Sequence, residues 1–219
     1  MNKKGTTPGN YLIRMQGGKK ERNGVRLIDE PQHLSSFYGT VILPPSSLYF
    51  PLEEYNEAKE IHCLHPVSSM MFSETCEHLG PIAPRGSKCI FSYLVDNCPT
   101  VRYYGVDMKV VHQNYLVAYF TRRDVMVPVN NWVVFRMLEK EDAFDRNDYG
   151  SGIVVAASEP VMDFHLGSVP EIPLKKGDRI FFNEKMSARF EKDHLNTMTE
   201  GQSSLFRVQR KYIGYVDKG

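Results

Sequence analysis

The chain is short of several things, and each shortage removes a class of protein. No apolar stretch approaches the roughly 20 residues of a membrane-spanning helix, and the opening MNKKGTTPGN lacks the apolar core of a secretory signal. A soluble protein is expected, cytoplasmic or carried in a virion, with no membrane partner. Net charge is also missing: 27 Lys and Arg against 26 Asp and Glu leave +1. Proteins built around nucleic-acid phosphates carry a clear basic excess, so no nucleic-acid partner is expected. The early basic residues Lys3, Lys4, Arg14, Lys19, Lys20, Arg22 and Arg26 read as solvated loop charge. Four cysteines in 219 residues are too few for a disulfide scaffold and read as thiols in a reducing compartment.

Catalytic motifs are absent too. The chain has no nucleophile elbow, HExxH or Walker sequence. The glycines of GSG (150–152) lack the third member of a dinucleotide fingerprint, which would fall at Val155. Histidines and carboxylates are scattered. The expectation is a non-enzymatic protein without a cofactor. One set of ligand-type residues qualifies that statement. Cys63, His65, Cys76 and His78 pair two C-x-H units ten residues apart and could hold a structural zinc tetrahedrally. The spacing belongs to no familiar zinc fold, and buried thiols with surface histidines are the preferred reading.

What the chain does have is short β-branched and aromatic segments of four to seven residues, bounded by Gly, Pro, Asn and Asp, the pattern of strands in a sandwich or barrel. They occur twice in the same order. PGNYLIRM (8–15) matches PVNNWVVFRM (128–137), and FYGTVILPP (37–45) matches YGSGIVVAASEP (149–160). RGSKCIFSYL (85–94) then matches KKGDRIFFNEK (175–185), and the halves close on YLVAYF (115–120) and YIGYVD (212–217). Two units are expected, 1–121 and 122–219. Gly39 to Gly86 spans 47 positions and Gly152 to Gly177 spans 25, so the first unit carries an insertion of about twenty residues within 44–84. PLEEYNEAKEIH (51–62), with Pro51 and two glutamates in a first turn, predicts a short helix there. The aromatic run RYYGVDM (102–108) could stack a partner, but core or barrel-edge packing is favoured.

The sequence of apolar strand, charged loop, Gly-x-Val, Lys-x-Gly-Asp-x-Ile-x-Phe and closing Tyr-Ile strand resembles the GroES-type co-chaperonin (chaperonin-10) family. PLKKGDRIFFNE (173–184), GIVVAASEP (152–160) and RKYIGYVD (210–217) carry the resemblance most specifically. It implies an all-β fold of two tandem GroES-like β-barrels, as in plastid double co-chaperonins. It also implies self-association into a ring, and a mobile loop that docks an apolar tripeptide on a GroEL-type chaperonin. On that resemblance the docking loop is NGVRLIDEP (23–31), with Gly24 leading and Val25, Arg26 and Leu27 as anchors beside Ile28. Arg26 stands where the family places an apolar residue. The corresponding second loop (138–151) offers Ala143, Phe144 and Tyr149 as apolar contacts. The alternative expectation is a structural protein, such as a virion or particle component, that uses the double barrel as a rigid block.

Overall fold

The computed structural model describes residues 10–16, 21–22, 25–26, 36–45, 81–138, 149–161, 172–190 and 205–218. Among them the chain is mostly strand, arranged in two large antiparallel sheets, with no helix of seven residues or more. The β-rich class expected from the sequence is borne out. The helix expected at 51–62 and most of the insertion expected at 44–84 lie outside the described residues.

The first sheet opens with β1 (Asn10–Met15), followed by a separate two-stranded ribbon of β2 (Glu21–Arg22) and β3 (Val25–Arg26). It continues with β4 (Ser36–Leu43), β5 (Lys88–Ser92), β6 (Thr100–Tyr103), β7 (Val106–His112), β8 (Leu116–Phe120) and β9 (Met126–Pro128), in spatial order β6-β7-β1-β4-β5-β8-β9. The second sheet holds β10 (Trp132–Met137), β11 (Tyr149–Ala157), β12 (Arg179–Asn183), β13 (Ala188–Arg189), β14 (Phe206–Gln209) and β15 (Ile213–Asp217), in the order β13-β14-β10-β11-β12-β15. β9 follows the boundary expected at 121 yet pairs with β8, so the first sheet runs to Pro128.

The two sheets repeat one another in register. Ile13 faces Val41 and Met15 faces Gly39, with a bulge between Leu12 and Ile13. Phe135 faces Val154 and Met137 faces Gly152, with a bulge between Val134 and Phe135. A second bulge falls at Ile90/Phe91 and again at Phe181/Phe182. The extra residue of each bulge is on the partner strand, Ile42 on β4 and Val155 on β11, so β1 and β10 keep their alternation. Tyr11 and Ile13 face one side and Leu12 the other, as Val133 and Phe135 do with Val134, and all six are buried because both faces of each strand are covered.

The turns match as well. Gly86 and Gly177 have φ of +85° and +99°, in the left-handed region that glycine enters without penalty. Each donates its N–H back across the sheet, Gly86 to Val41 C=O at 2.8 Å and Gly177 to Val154 C=O at 2.9 Å. In the second turn the Asp178 carboxylate accepts the Lys175 N–H at 2.8 Å, the local tie that Asp supplies in such turns.

Three apolar cores result. One lies within the first sheet around Tyr11, Ile13, Cys89, Phe91 and Val111, and one within the second around Val133, Phe135, Ile180, Phe182 and Val208. The third lies between the sheets: Tyr38, Ile90, Ala118 and Phe120 of the first meet Val134, Phe190 and Leu205 of the second. The link between β9 and β10 is pinned on both sides. Asn130 and Asn131 both have positive φ, +52° and +64°, which Asn tolerates better than most residues. The Asn130 side chain donates to Gln113 and Leu116 carbonyls at 2.5 and 2.7 Å, in the first unit. The Asn131 side chain exchanges bonds with the Val161 backbone at 2.8 and 2.9 Å, in the second.

Candidate functional site: the loop bases and the sheet faces

Both candidate loops spring from the same place in the repeat. Leaving β1, the Gln16 N–H donates to Tyr38 C=O at 2.9 Å; leaving β10, the Leu138 N–H donates to Ser151 C=O at 2.9 Å. These bonds close the mouths of the 17–35 and 139–148 connections. Within the first, Val25 and Arg26 pair with Arg22 and Glu21 as a short antiparallel ribbon. Gly24, Leu27 and Ile28 lie outside the described residues. So do Ala143 and Phe144, and also Cys63, His65, Cys76 and His78. Tyr149 is described: it is the first residue of β11, paired with Asn183, and 63% exposed.

YGSGIVVAASEP is therefore a wall of the second sheet. Gly152 is required there by close approach, since a Cβ at that position would sit 2.8 Å from the Arg136 carbonyl oxygen and against the Phe135 ring. Gly39 repeats the arrangement, with its would-be Cβ 2.5 Å from Ile13 Cγ2.

RYYGVDM departs in part from its expected burial. Tyr104 and Gly105 both have positive φ, +48° and +79°, and form the two-residue turn joining β6 to β7, in the manner of a type I′ hairpin. Met108 is buried, but Tyr104 is 84% exposed, with its ring edge-on to Tyr103 at 4.5 Å.

The buried polar groups hold structure together. Gln113 opens a 3-10 turn and accepts the Tyr11 hydroxyl at 2.5 Å, while its amide donates to Pro81 C=O at 3.3 Å. The Tyr11 hydroxyl in turn accepts the Ala83 N–H at 3.0 Å. Burial pushes the Tyr11 pKa well up, against the partial relief of that amide. Arg210 opens the equivalent turn and donates to the carbonyls of Ile172 and Ser158. Burial lowers its pKa, and Glu159 opposes the shift. His112 accepts the Asn114 N–H on Nδ1 at 3.2 Å as a turn cap, and burial holds its pKa down at about 4. Cys89 and Cys98 are free thiols with pKa raised by burial, partly offset at Cys98 by Lys109. Among the described residues no group of three or more His, Cys, Asp or Glu could hold a metal. None of the helices among them is long and apolar enough to cross a membrane.

No family model matches the chain, and no curated protein matches it.

Sequence reasoning did not single out one further feature. Phe181 and Tyr215 lie directly opposite each other on β12 and β15, ring centroids 5.6 Å apart, and the Arg179 guanidinium lies over Phe181 at 5.0 Å. Tyr215 is 61% exposed. The signal was in the sequence as an outward-facing Phe and Tyr within RIFFN and YIGYVD, where the first unit has Ile90 and Ala118.

Proposed function

We propose that the protein is a co-chaperonin-like assembly factor: two GroES-like barrels in tandem that self-associate into a ring and contact a GroEL-type chaperonin through the loop at 23–28. The observation that carries this reading is the duplicated sheet with a long connection leaving each copy at the same closed mouth. Gly24, Val25, Arg26, Leu27 and Ile28 form the docking segment in this reading. It assigns no catalytic group and no cofactor, and a zinc at Cys63, His65, Cys76 and His78 would serve only the insertion.

Energetics explain why self-association belongs to the proposal. Burying one Val or Leu side chain contributes about 1.5 to 3 kcal/mol before ordering costs, so one loop binds weakly. Several loops acting together raise affinity by roughly 10² to 10⁴. The test is capture on a GroEL-type chaperonin with nucleotide, comparing wild type with Leu27→Asp. Capture of wild type and its loss in the variant is expected. Capture of neither would favour the second reading, a structural particle component. That reading draws on the core between the sheets, which joins the two units as a single block.

A further inference from the structure

The repeat in register shows where the second unit departs from the first. Gly39 faces Cys89 as Gly152 faces Ile180, so Ile90 on β5 corresponds to Phe181 on β12. The bulged pairings of β5 with β8 and of β12 with β15 make Ala118 correspond to Tyr215. Ile90 and Ala118 are fully buried in the core between the sheets. Phe181 is only half-buried and Tyr215 is exposed. The first unit keeps aliphatic residues where the other sheet covers them, and the second places two rings at the same points and leaves them accessible.

The ladders lay out the face around these rings. Phe181 and Tyr215 form one rung, their centroids 5.6 Å apart. On the rung beside it Ile153 pairs with both Arg136 and Arg179, and Arg179 pairs with Asp217. On the far side of the ring pair lies Tyr149, two residues before Ser151, which faces Phe181. Alternate residues of a strand share a face, so three aromatic side chains and two arginines stand together. A Cβ on the exposed Gly214 would lie 4.0 Å from the Tyr149 ring, so Tyr149 reaches across toward β15. The Arg179 guanidinium sits 5.0 Å from the Phe181 centroid, and its Nε is buried without a hydrogen-bond partner. Arg136 is exposed, and none of these side chains is fully buried.

We propose that this face binds single-stranded nucleic acid, with unstacked bases on Tyr149, Phe181 and Tyr215 and backbone phosphates on Arg136 and Arg179. Rings on neighbouring strands of an open sheet, with arginine beside them, are a general means of holding bases drawn out of a stack. Charge complementarity selects this occupant. An apolar partner would bury Arg136 and Arg179 without compensation, and a neutral glycan would gain nothing from two cations that outnumber the single carboxylate on their rung. The small net charge of the chain excludes a binder held mainly by phosphates; one held mainly by stacking needs few cations. Two phosphate contacts on a single strand give a shallow salt dependence, a slope of about −1.4 in log K against log salt. The proposal stands apart from chaperonin contact and does not use the 23–28 loop.

The experiment is fluorescence anisotropy of short labelled oligothymidine and oligouridine strands, titrated at several salt concentrations, with circular dichroism to show that each variant keeps the fold. Wild type is expected to bind both strands, and a duplex far more weakly, because its bases are not free to stack. Tyr215→Ala should weaken binding about tenfold, the loss of one stacked base. Tyr215→Trp keeps a stacking surface and should bind at least as well as wild type. Arg136→Ala should make the salt slope shallower by about 0.7. Tyr104→Ala removes the most exposed ring of the first unit and should change nothing, and Leu27→Asp, which scores chaperonin contact, should also bind as wild type. Failure of both strands to bind at low salt would overturn the proposal. So would binding that Tyr215→Ala leaves intact, or a duplex bound as tightly as a single strand. Capture of a neutral oligosaccharide instead, lost in Tyr215→Ala, would overturn it as well and give the face to a glycan.

Discussion

The two units share ladders, bulges and turns, yet they solve one internal problem with different chemistry. The residue that opens the 3-10 turn before the closing strand is Gln113 in the first unit and Arg210 in the second, both buried. Each reaches the same point of the partner segment, the carbonyl of Pro81 or of Ile172. Gln113 can also accept, and takes the Tyr11 hydroxyl; the β10 position corresponding to Tyr11 is Val133, which has no hydroxyl to offer. Arg210 only donates, and finds a second carbonyl at Ser158. The fold demands a donor at this point and leaves its identity open.

That comparison can be broken directly. Arg210→Leu strips a buried carbonyl, that of Ser158, and a part-buried one, that of Ile172, of charge-assisted donors, and should cost about 4 kcal/mol of unfolding free energy. Gln113→Leu removes neutral bonds and should cost about 2 kcal/mol. Urea unfolding at fixed pH measures both, and equal losses would refute the distinction. The next effect is steric. Gly152→Ala drives a Cβ against the Phe135 ring and the Arg136 carbonyl, and should cost about 3 kcal/mol. At Gly39 the nearest atom is Ile13 Cγ2, a branch methyl next to the backbone of a fully buried residue, while the backbone oxygen is farther, 3.1 Å, so Ala there should cost somewhat less, about 2 kcal/mol.

The repeat was legible in the sequence because its turn glycines and short apolar runs survive divergence. FYGTVIL, KCIFS and LVAYF became β4, β5 and β8, and their partners became β11, β12 and β15. The core between the sheets was not legible. The triplet Val133-Val134-Phe135 reads simply as apolar, and nothing in it marks that Val134, on the opposite side of β10 from Val133 and Phe135, meets the first unit. The 100–112 hairpin was missed as strands because its turn, Tyr104-Gly105, hides inside an aromatic run that suggests burial. Of the proposed docking loop, Val25 and Arg26 are described, paired with Arg22 and Glu21 in a ribbon that the sequence reading did not include. Loop recognition depends on a partner surface, and strand alternation carries no information about it.

A titration separates the units more gently. His112 caps the first unit's turn, and its counterpart before Arg210 is Gln209, which does not titrate. Burial holds the folded His112 near pKa 4 against an unfolded value of 6.5. Between those values the unfolded chain binds the extra proton, so stability rises with pH across the window and falls as pH drops through it. Moving from pH 7.5 to 4.5 should cost about 2 kcal/mol from this group. Introducing the second unit's residue, His112→Gln, should flatten that part of the pH profile. A profile unchanged by the substitution would assign the acid sensitivity to carboxylates instead.

The smallest effect is the one that should be the same in both units. Gly86 and Gly177 hold positive φ with nothing within 4 Å of a would-be Cβ, so alanine at either meets no neighbour. The only penalty is backbone strain in the left-handed region, of order 1 kcal/mol, offset in part by the lower entropy of the unfolded chain. Asp178 does not change this expectation, because its carboxylate binds the Lys175 amide rather than the glycine. Gly86→Ala and Gly177→Ala should therefore shift the unfolding midpoint by equal, small amounts. A loss at one site several-fold larger than at the other would mean that the two turns, matched in every backbone bond, carry different loads.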